Sequence, residues 1–208
     1  MLKKVGLSSR LVSTVNDLDL ATKIILPGVG AFDSCMNALN KSGLREKMVQ
    51  KVQNKEATLL GICVGYQMLT TGSEEGREPG LSLLPAKTVK FVDPAKKFKI
   101  PHMGWNEIVP VVKHPLTKFF EPGADNRAYF VHSYCVQPYD QTNVILTTNY
   151  IHDFAAAMAK DNVMGVQFHP EKSHRYGMNL FRAFAEMQSQ SWWPAESFRF
   201  YYFLIERS

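Results

Sequence analysis

The chain has 208 residues, with 24 Lys and Arg against 19 Asp and Glu and a formal charge of +5. Apolar residues make up 45% and charged residues 21%, the balance of a globular protein, which excludes a disordered or collagen-like chain. The longest apolar runs, Phe154–Ala159 and Phe200–Ile205, are far shorter than the ~20 residues a membrane helix needs.

At roughly 150 residues per domain, this length predicts one domain, or one with an appendage. Met1-Leu2-Lys3-Lys4 is not followed by a long apolar stretch, so no secretory signal is expected. Lys96, Lys97 and Lys99 form the densest basic cluster, which reads as a solvated loop rather than a nucleic-acid footprint. The three cysteines, Cys35, Cys63 and Cys135, are odd in number and lack CxxC spacing. That argues against a disulfide framework or a zinc site and for a reduced cytoplasm.

In chain order, Leu2–Gly6 reads as the end of a helix stopped by Gly6. Lys23–Leu26 is a buried strand that meets a tight loop at Pro27-Gly28. Asp33 or Ser34 is expected to cap a helix running to Lys41 and closed by Gly43. Leu44–Asn54 is amphipathic. Thr58–Ile62 is a second buried strand, and a helix begins at Gly65–Thr70 directly after it. Two buried strands, each feeding a helix, predict a parallel sheet with helices on its faces. Lys87–Val92, Asn106–Val112, Ala128–Val136 and Asn143–Thr148 are β-rich and separated by turn residues. Val163–Phe168 is another buried strand, and Met178–Met187 carries a helical apolar face. The expected fold is a three-layer open α/β sheet, mostly parallel, with an antiparallel insert. After Met187 the composition changes to Trp192-Trp193-Pro194 and then the aromatic, β-prone run Phe198–Ile205.

Three segments carry candidate chemistry. Gly61-Ile62-Cys63-Val64-Gly65 places a cysteine between glycines where a strand meets a helix, the geometry of a nucleophile elbow with thiol in place of hydroxyl. At a helix start the dipole favours thiolate, and the N–H of Val64 points to where an oxyanion would form. A buried cysteine in a plain βα turn is the alternative for this pentapeptide alone. In Phe168-His169-Pro170-Glu171, His169 and Glu171 share one side of an extended backbone, so the carboxylate can orient the imidazole as base for the thiol. Taken alone, the pair also fits a surface histidine beside a solvated glutamate. The conjunction decides, because both segments end predicted parallel strands, where open α/β sheets place their sites. Pro27–Phe32 lacks the full GxGxxG phosphate spacing; its glycines can instead offer N–H groups to an oxyanion. His102 and His132 lack metal-ligand spacing and read as satisfied structural histidines; His152 and His174 read as surface residues.

Together, ILPGVGAF, GICVGYQML, PHMGWN, YFVHSY and GVQFHPEKS resemble the class I (triad) glutamine amidotransferases from about Leu2 to Met187. The last four are most similar to the glutaminase subunits of imidazole glycerol-phosphate synthases of histidine biosynthesis. The resemblance implies hydrolysis of L-glutamine to glutamate and ammonia without a cofactor or metal. It assigns Cys63 as nucleophile, His169 as base and then acid, and Glu171 as its orienter. Val64 and the Val29–Gly30 stretch would form the oxyanion hole. Gly30, Gln67, Glu75, Ser133 and Tyr134 would bind glutamine, with Glu74 adjacent to the acidic position. It further implies a synthase (cyclase) partner, a (β/α)₈ barrel forming a heterodimer, with Trp105 and Lys172 near that interface and low activity without it. Neither nucleic acid nor membrane is an expected partner.

The pattern departs from the family in three places. The family opens with a strand and a Gly-rich loop before the helix end at Gly6, so a central strand is expected to be missing, and a truncated, inactive homologue is an alternative reading. The segment from Gln188 has no family counterpart, giving a domain over 1–187 and an atypical tail over 188–208. The tail's simpler expectation is an extension outside the sheet; the other is that Phe198–Ile205 occupies the vacant strand position. Finally, Ser173–Met178 and Val64-Gly65-Tyr66 resemble paralogues that feed ammonia to surface-polysaccharide sugar amidotransferases, an alternative acceptor.

Overall fold

The computed structural model describes residues 1–187 and 200–202. The chain opens on a 3₁₀ turn, Leu2–Val5, closed by Gly6 at φ 76°. A short strand follows, β1 (Ser9–Leu11), then α1 (Val15–Asp19). Thr14 and Asp17 cap this helix reciprocally: the Asp17 N–H donates to Thr14 Oγ1 and the Thr14 N–H to the Asp17 carboxylate.

β2 (Lys23–Gly28) feeds α2 (Phe32–Lys41), α3 (Arg45–Gln53) follows, and β3 (Thr58–Cys63) feeds α4 (Val64–Met68). The expected side-chain cap of α2 is not made. Its N-cap is Ala31, without a capping side chain, because the Asp33 carboxylate instead accepts the N–H groups of Arg77 and Glu78. A tertiary contact thus takes the oxygen that a local rule assigned to the helix.

The middle holds β4 (Ala86–Lys90), β5 (His102–Glu107), β6 (Val109–Pro110), β7 (Arg127–His132), β8 (Tyr134–Pro138), β9 (Val144–Asn149) and β10 (Asp153–Lys160). β11 (Val163–Val166) and α5 (His174–Glu186) complete the body, and β12 (Phe200–Tyr202) lies beyond it. Among the described residues the main sheet runs β1-β12-β2-β3-β11-β10-β9-β6. Its pairings are parallel from β1 to β11 and antiparallel from β11 to β6. β4–β8 and β5–β7 are separate antiparallel pairs, the antiparallel insert.

Side chains alternate across a strand. Gly61 of β3 lies under Gly65 and Leu69 of the α4 segment, whereas its neighbour Ile62 shares a cavity with Phe181 of α5. Helices therefore cover both faces, giving three layers around a core that includes Leu26, Leu60, Phe168 and Phe184.

The simpler expectation for the tail is overturned. Phe200–Tyr202 pairs in parallel with both β1 and β2, Tyr201 lying between Arg10 and Ile24, and Tyr201 is fully buried. A strand from the far end of the chain fills the position beside β2. The remainder of Phe198–Ile205, and residues 188–199, lie outside the described residues. β10 is also unanticipated: Phe154–Met158 of its Ala-rich run are buried on both faces between β9 and β11.

Candidate active site

Cys63 ends β3 and caps α4 with φ 55°. This is an uncommon conformation for a residue bearing a Cβ and is characteristic of functional turns. The sharp bend drives α4 back against β2, and a Cβ at Gly65 would lie 1.8 Å from the Leu26 carbonyl oxygen. Only glycine tolerates that approach. Cys63 is 4% exposed, at the start of a helix whose first N–H, that of Val64, has no acceptor within the helix.

β11 lies beside β3 with Val166 opposite Ile62. One step further along the strand direction brings Gln167 level with Cys63, and the chain then turns into His169. The His169 N–H donates to the Tyr129 carbonyl of β7. Ser173 Oγ donates to the His169 carbonyl and accepts from the Tyr129 N–H. His169 is 4% exposed and its Nδ1 lies 2.7 Å from Glu171 Oε1. Burial alone would lower the imidazole pKa, but hydrogen bonds and charge interactions with Cys63 and Glu171 outweigh it and raise the pKa to about 9. Burial would likewise raise the Glu171 carboxyl, yet the His169 contact holds it below the usual range. The arrangement keeps a proton on the imidazole beside the sulfur, with the carboxylate behind it.

Gly28 of β2 is the cross-strand partner of Cys63, so the Val29–Gly30 loop hangs beside that residue. The Val29 carbonyl accepts from Cys35 Sγ at 3.7 Å, and burial pushes the Cys35 thiol up to about 11, so the thiol remains a donor. Because a trans peptide points its N–H opposite its C=O, the Gly30 N–H is turned away from Cys35.

Glu75 and Glu74 are separated by their partners. Glu75 Oε2 accepts the Phe32 N–H at 2.9 Å and so faces the PGVGAF loop, whereas Glu74 binds the Lys90 N–H and Lys87. Gln67 is 2% exposed; its Nε2 donates to the Tyr134 carbonyl at 3.1 Å and to Gln167 Oε1 at 3.2 Å. Ser133 connects β7 to β8, and its carbonyl accepts the Phe91 N–H. Trp105 and Lys172 meet around one ring: Lys172 Nζ lies 5.6 Å above Tyr129, and Trp105 packs edge-on to it.

A cavity of about 280 Å³ extends from His169 and Glu171 past Val29 to Met1 and Phe181. A larger one, about 580 Å³, lies between Pro110 and Pro122 and holds none of the expected site residues. The expected site residues therefore divide into two groups. Cys63, Val64, Val29, Gly30, His169, Glu171, Gln67 and Glu75 gather around the end of β3 and its loops, with Tyr134 joined to them through Gln67 and Ser133 next to it in the chain, while Trp105 and Lys172 meet at Tyr129 of β7. Gln167 and Ser173 were not singled out from the sequence; a polar residue ending an apolar strand was the available signal for Gln167. Among the described residues no group of three His, Cys, Asp or Glu gathers as a metal site, and no helix is long and apolar enough to cross a membrane.

The family model for class I glutamine amidotransferases matches residues 2–187. The chain is 46% identical over 187 residues to the imidazole glycerol phosphate synthase subunit HisH 2 of Pseudomonas aeruginosa, covering 90% of this chain and 91% of the relative. It is 47% identical over 184 residues to the HisH 2 subunit of Methanococcus maripaludis, covering 88% and 90%. Among solved structures, a glutamine amidotransferase superposes with a TM-score of 0.68 at 18% identity, over 89% of this chain and 88% of that one. A putative GMP synthase subunit from Thermoplasma acidophilum gives 0.62 at 17% identity, over 88% and 82%.

Proposed function

This chain belongs to the class I glutamine amidotransferase family, and on that premise we propose that it is the glutaminase subunit of an imidazole glycerol-phosphate synthase. In this reading it hydrolyses L-glutamine at Cys63 and passes the ammonia to a cyclase subunit in histidine biosynthesis. The observation that carries the chemistry is His169, held by Glu171 at 2.7 Å beside a cysteine on a strained strand-to-helix bend.

The steps follow from these groups. The Cys63 thiolate attacks the carboxamide carbon, and the oxygen takes up the negative charge. The N–H groups of Val64 and Gly30 stabilise that oxyanion. His169 gives its proton to the amide nitrogen, the C–N bond breaks, and ammonia leaves a thioester. His169, now neutral, takes a proton from water as it attacks the thioester; the C–S bond breaks, returning glutamate and the thiolate. Gln67, Glu75 and the Ser133-Tyr134 backbone hold the amino-acid end of glutamine.

The Val29–Gly30 loop is the proposed switch that partner docking would set, and Trp105 and Lys172 are the proposed docking residues, supported by the exposure of Trp105 (45%). The partner would be a (β/α)₈ barrel, its interface shielding ammonia from protonation. Three free thiols suit a cytoplasmic heterodimer of this kind. The test is glutamine hydrolysis by the chain with a cyclase partner and, separately, with a sugar amidotransferase. Stimulation by the cyclase is expected; stimulation by the sugar enzyme alone would reassign the acceptor, and no hydrolysis with either would remove the activity.

A further inference from the structure

A buried hydrogen-bond chain connects the β5 strand to the nucleophile, and its direction is set by its two ends. At the outer end, Asn106 Oδ1 accepts the Glu107 N–H at 2.8 Å, so Nδ2 is the opposite pole; it donates to the Asn149 carbonyl at 2.7 Å. The same nitrogen lies 3.2 Å from His102 Nε2. An amide nitrogen only donates, so His102 Nε2 is an acceptor and the ring proton is on Nδ1. His102 Nδ1 then donates to His132 Nε2 at 3.0 Å, which leaves His132 Nδ1 to donate to the Tyr134 carbonyl at 2.8 Å. A second proton on either ring would oppose one N–H to another. The surroundings agree: His102 is stacked between Phe130 and Tyr150 at 4.7 and 4.0 Å, and Phe91 and Phe154 pack on His132. Burial lowers the two imidazoles to about 4 and about 3, so both are neutral at pH 7.

The Tyr134 carbonyl also sets the polarity of the two glutamines beyond it. It is an acceptor, so the Gln67 atom facing it is Nε2; the second hydrogen of that nitrogen goes to Gln167 Oε1. Gln167 must then present its own Nε2 towards Cys63 Sγ, at 4.0 Å. With both amide hydrogens of Gln67 spent inside the protein, its Oε1, which accepts no hydrogen bond among the described residues, is the pole left for a ligand.

We propose that His102, His132 and Gln167 are positioning residues of the glutaminase site, forming a one-way relay that turns the Gln67 oxygen towards the substrate ammonium and a donor towards the Cys63 sulfur. This rests on the glutaminase reading and adds to it His102, on the strand that also carries Trp105, His132 at the end of β7 and Gln167 just after β11.

The test has a spectroscopic arm and a kinetic one. In the ¹⁵N imidazole spectrum of the full-length wild-type chain at pH 7 and pH 5, both rings are expected as neutral Nδ1–H tautomers that do not titrate. A charged ring or an Nε2–H tautomer at pH 7 would overturn the relay, whatever the enzyme's activity. In glutamine hydrolysis with the synthase partner, His132→Leu removes the donor to Tyr134. It should raise KM about tenfold, the usual worth of a hydrogen bond to a charged ligand, with a smaller change in kcat. His132→Asn, whose amide nitrogen replaces Nδ1, should recover most of that loss. Equal KM values for wild type and His132→Leu would also overturn the proposal, as would a fall in kcat that His132→Asn does not relieve. A wild-type chain inert with its partner refutes the glutaminase reading and leaves the spectrum to decide the relay.

Discussion

The two halves of the main sheet are assembled differently. On the antiparallel side, β11, β10 and β9 are successive strands paired with their neighbours in sequence. On the parallel side β2 and β3 are also successive, but the pairings that flank them are remote: Leu59 of β3 meets Val163 of β11, and Lys23 of β2 meets Phe200 of β12. The proposed reacting groups all belong to the parallel side, because parallel strands end together and set side chains a hundred residues apart around one edge. The antiparallel side and the two separate antiparallel pairs contribute none of the proposed reacting groups. They contribute His102, His132 and Tyr134, which hold orientation. The contrast extends to charge: one imidazole, against a carboxylate and a thiol, keeps its proton to about pH 9, while two others, in an aromatic nest, refuse a proton until about pH 4 and 3. Substitutions on the parallel side should therefore cost turnover or the fold itself; those on the antiparallel side should change affinity and acid stability.

The largest effect that would confirm this division is loss of the nucleophile. Cys63→Ala should lower glutamine turnover by about 10⁴-fold or more, and His169→Ala nearly as much, in the range that removal of triad members produces. Wild-type turnover by Cys63→Ala would place the chemistry elsewhere.

The next effect concerns the fold. Tyr201 is fully buried between β1 and β2, so Tyr201→Ala should cost about 3 kcal/mol and lower Tm by roughly 6–12 °C, measured by thermal unfolding. Its hydroxyl has no hydrogen-bond partner among the described residues, so Tyr201→Phe should be neutral or stabilising. An unchanged Tm for Tyr201→Ala would put β12 outside the sheet and leave the parallel half without its remote strand.

The legibility of the sequence divides along the same line. The elbow, the PGVGAF loop and the His169–Glu171 pair were legible because each makes an unusual local demand, such as the Gly65 contact with β2 or the positive φ of Cys63. β10 was not, because Phe154–Ala159 is rich in alanine, a helix former with little strand preference and no alternation to mark a face. The place of β12 was open because parallel pairing leaves no turn to announce it. The relay was illegible since His102 and His132 lie thirty residues apart and acquire their roles only when β5 pairs with β7. Asn106, which decides their tautomers, reads in sequence as an ordinary strand residue.

Glu171→Gln tests the charged imidazole at a smaller scale. Glutamine keeps a hydrogen-bonding oxygen at His169 Nδ1 but removes the negative charge, so turnover should fall about 10²-fold, the lower range for a general acid–base contribution. The alkaline limb of the pH–rate profile should move below its wild-type position near pH 9, since less charge holds the proton. A Glu171→Gln enzyme whose profile is unshifted would mean that Cys63 alone sets the His169 proton affinity.

The smallest effect separates the imidazoles by sign. The ordinary histidine pKa is 6.5, and the folded values of His102 and His132 are about 4 and about 3. Below pH 6.5 the unfolded chain binds protons at these positions that the folded chain refuses. Their contribution to stability is therefore complete above pH 6.5 and lost as pH falls through the folded values, at about 1.4 kcal/mol per pH unit for each ring. His169 runs the other way: its folded pKa is raised, so its contribution is complete below 6.5 and lost as pH rises through about 9. Urea unfolding of wild type between about pH 7 and 4.5 should show stability falling with acid, and His132→Leu should lose about one proton's share of that slope. The other histidines cancel in the difference between the two proteins. Equal slopes would mean that His132 takes up its proton in the folded chain as readily as in the unfolded one, and the antiparallel side would then carry charge like the parallel side.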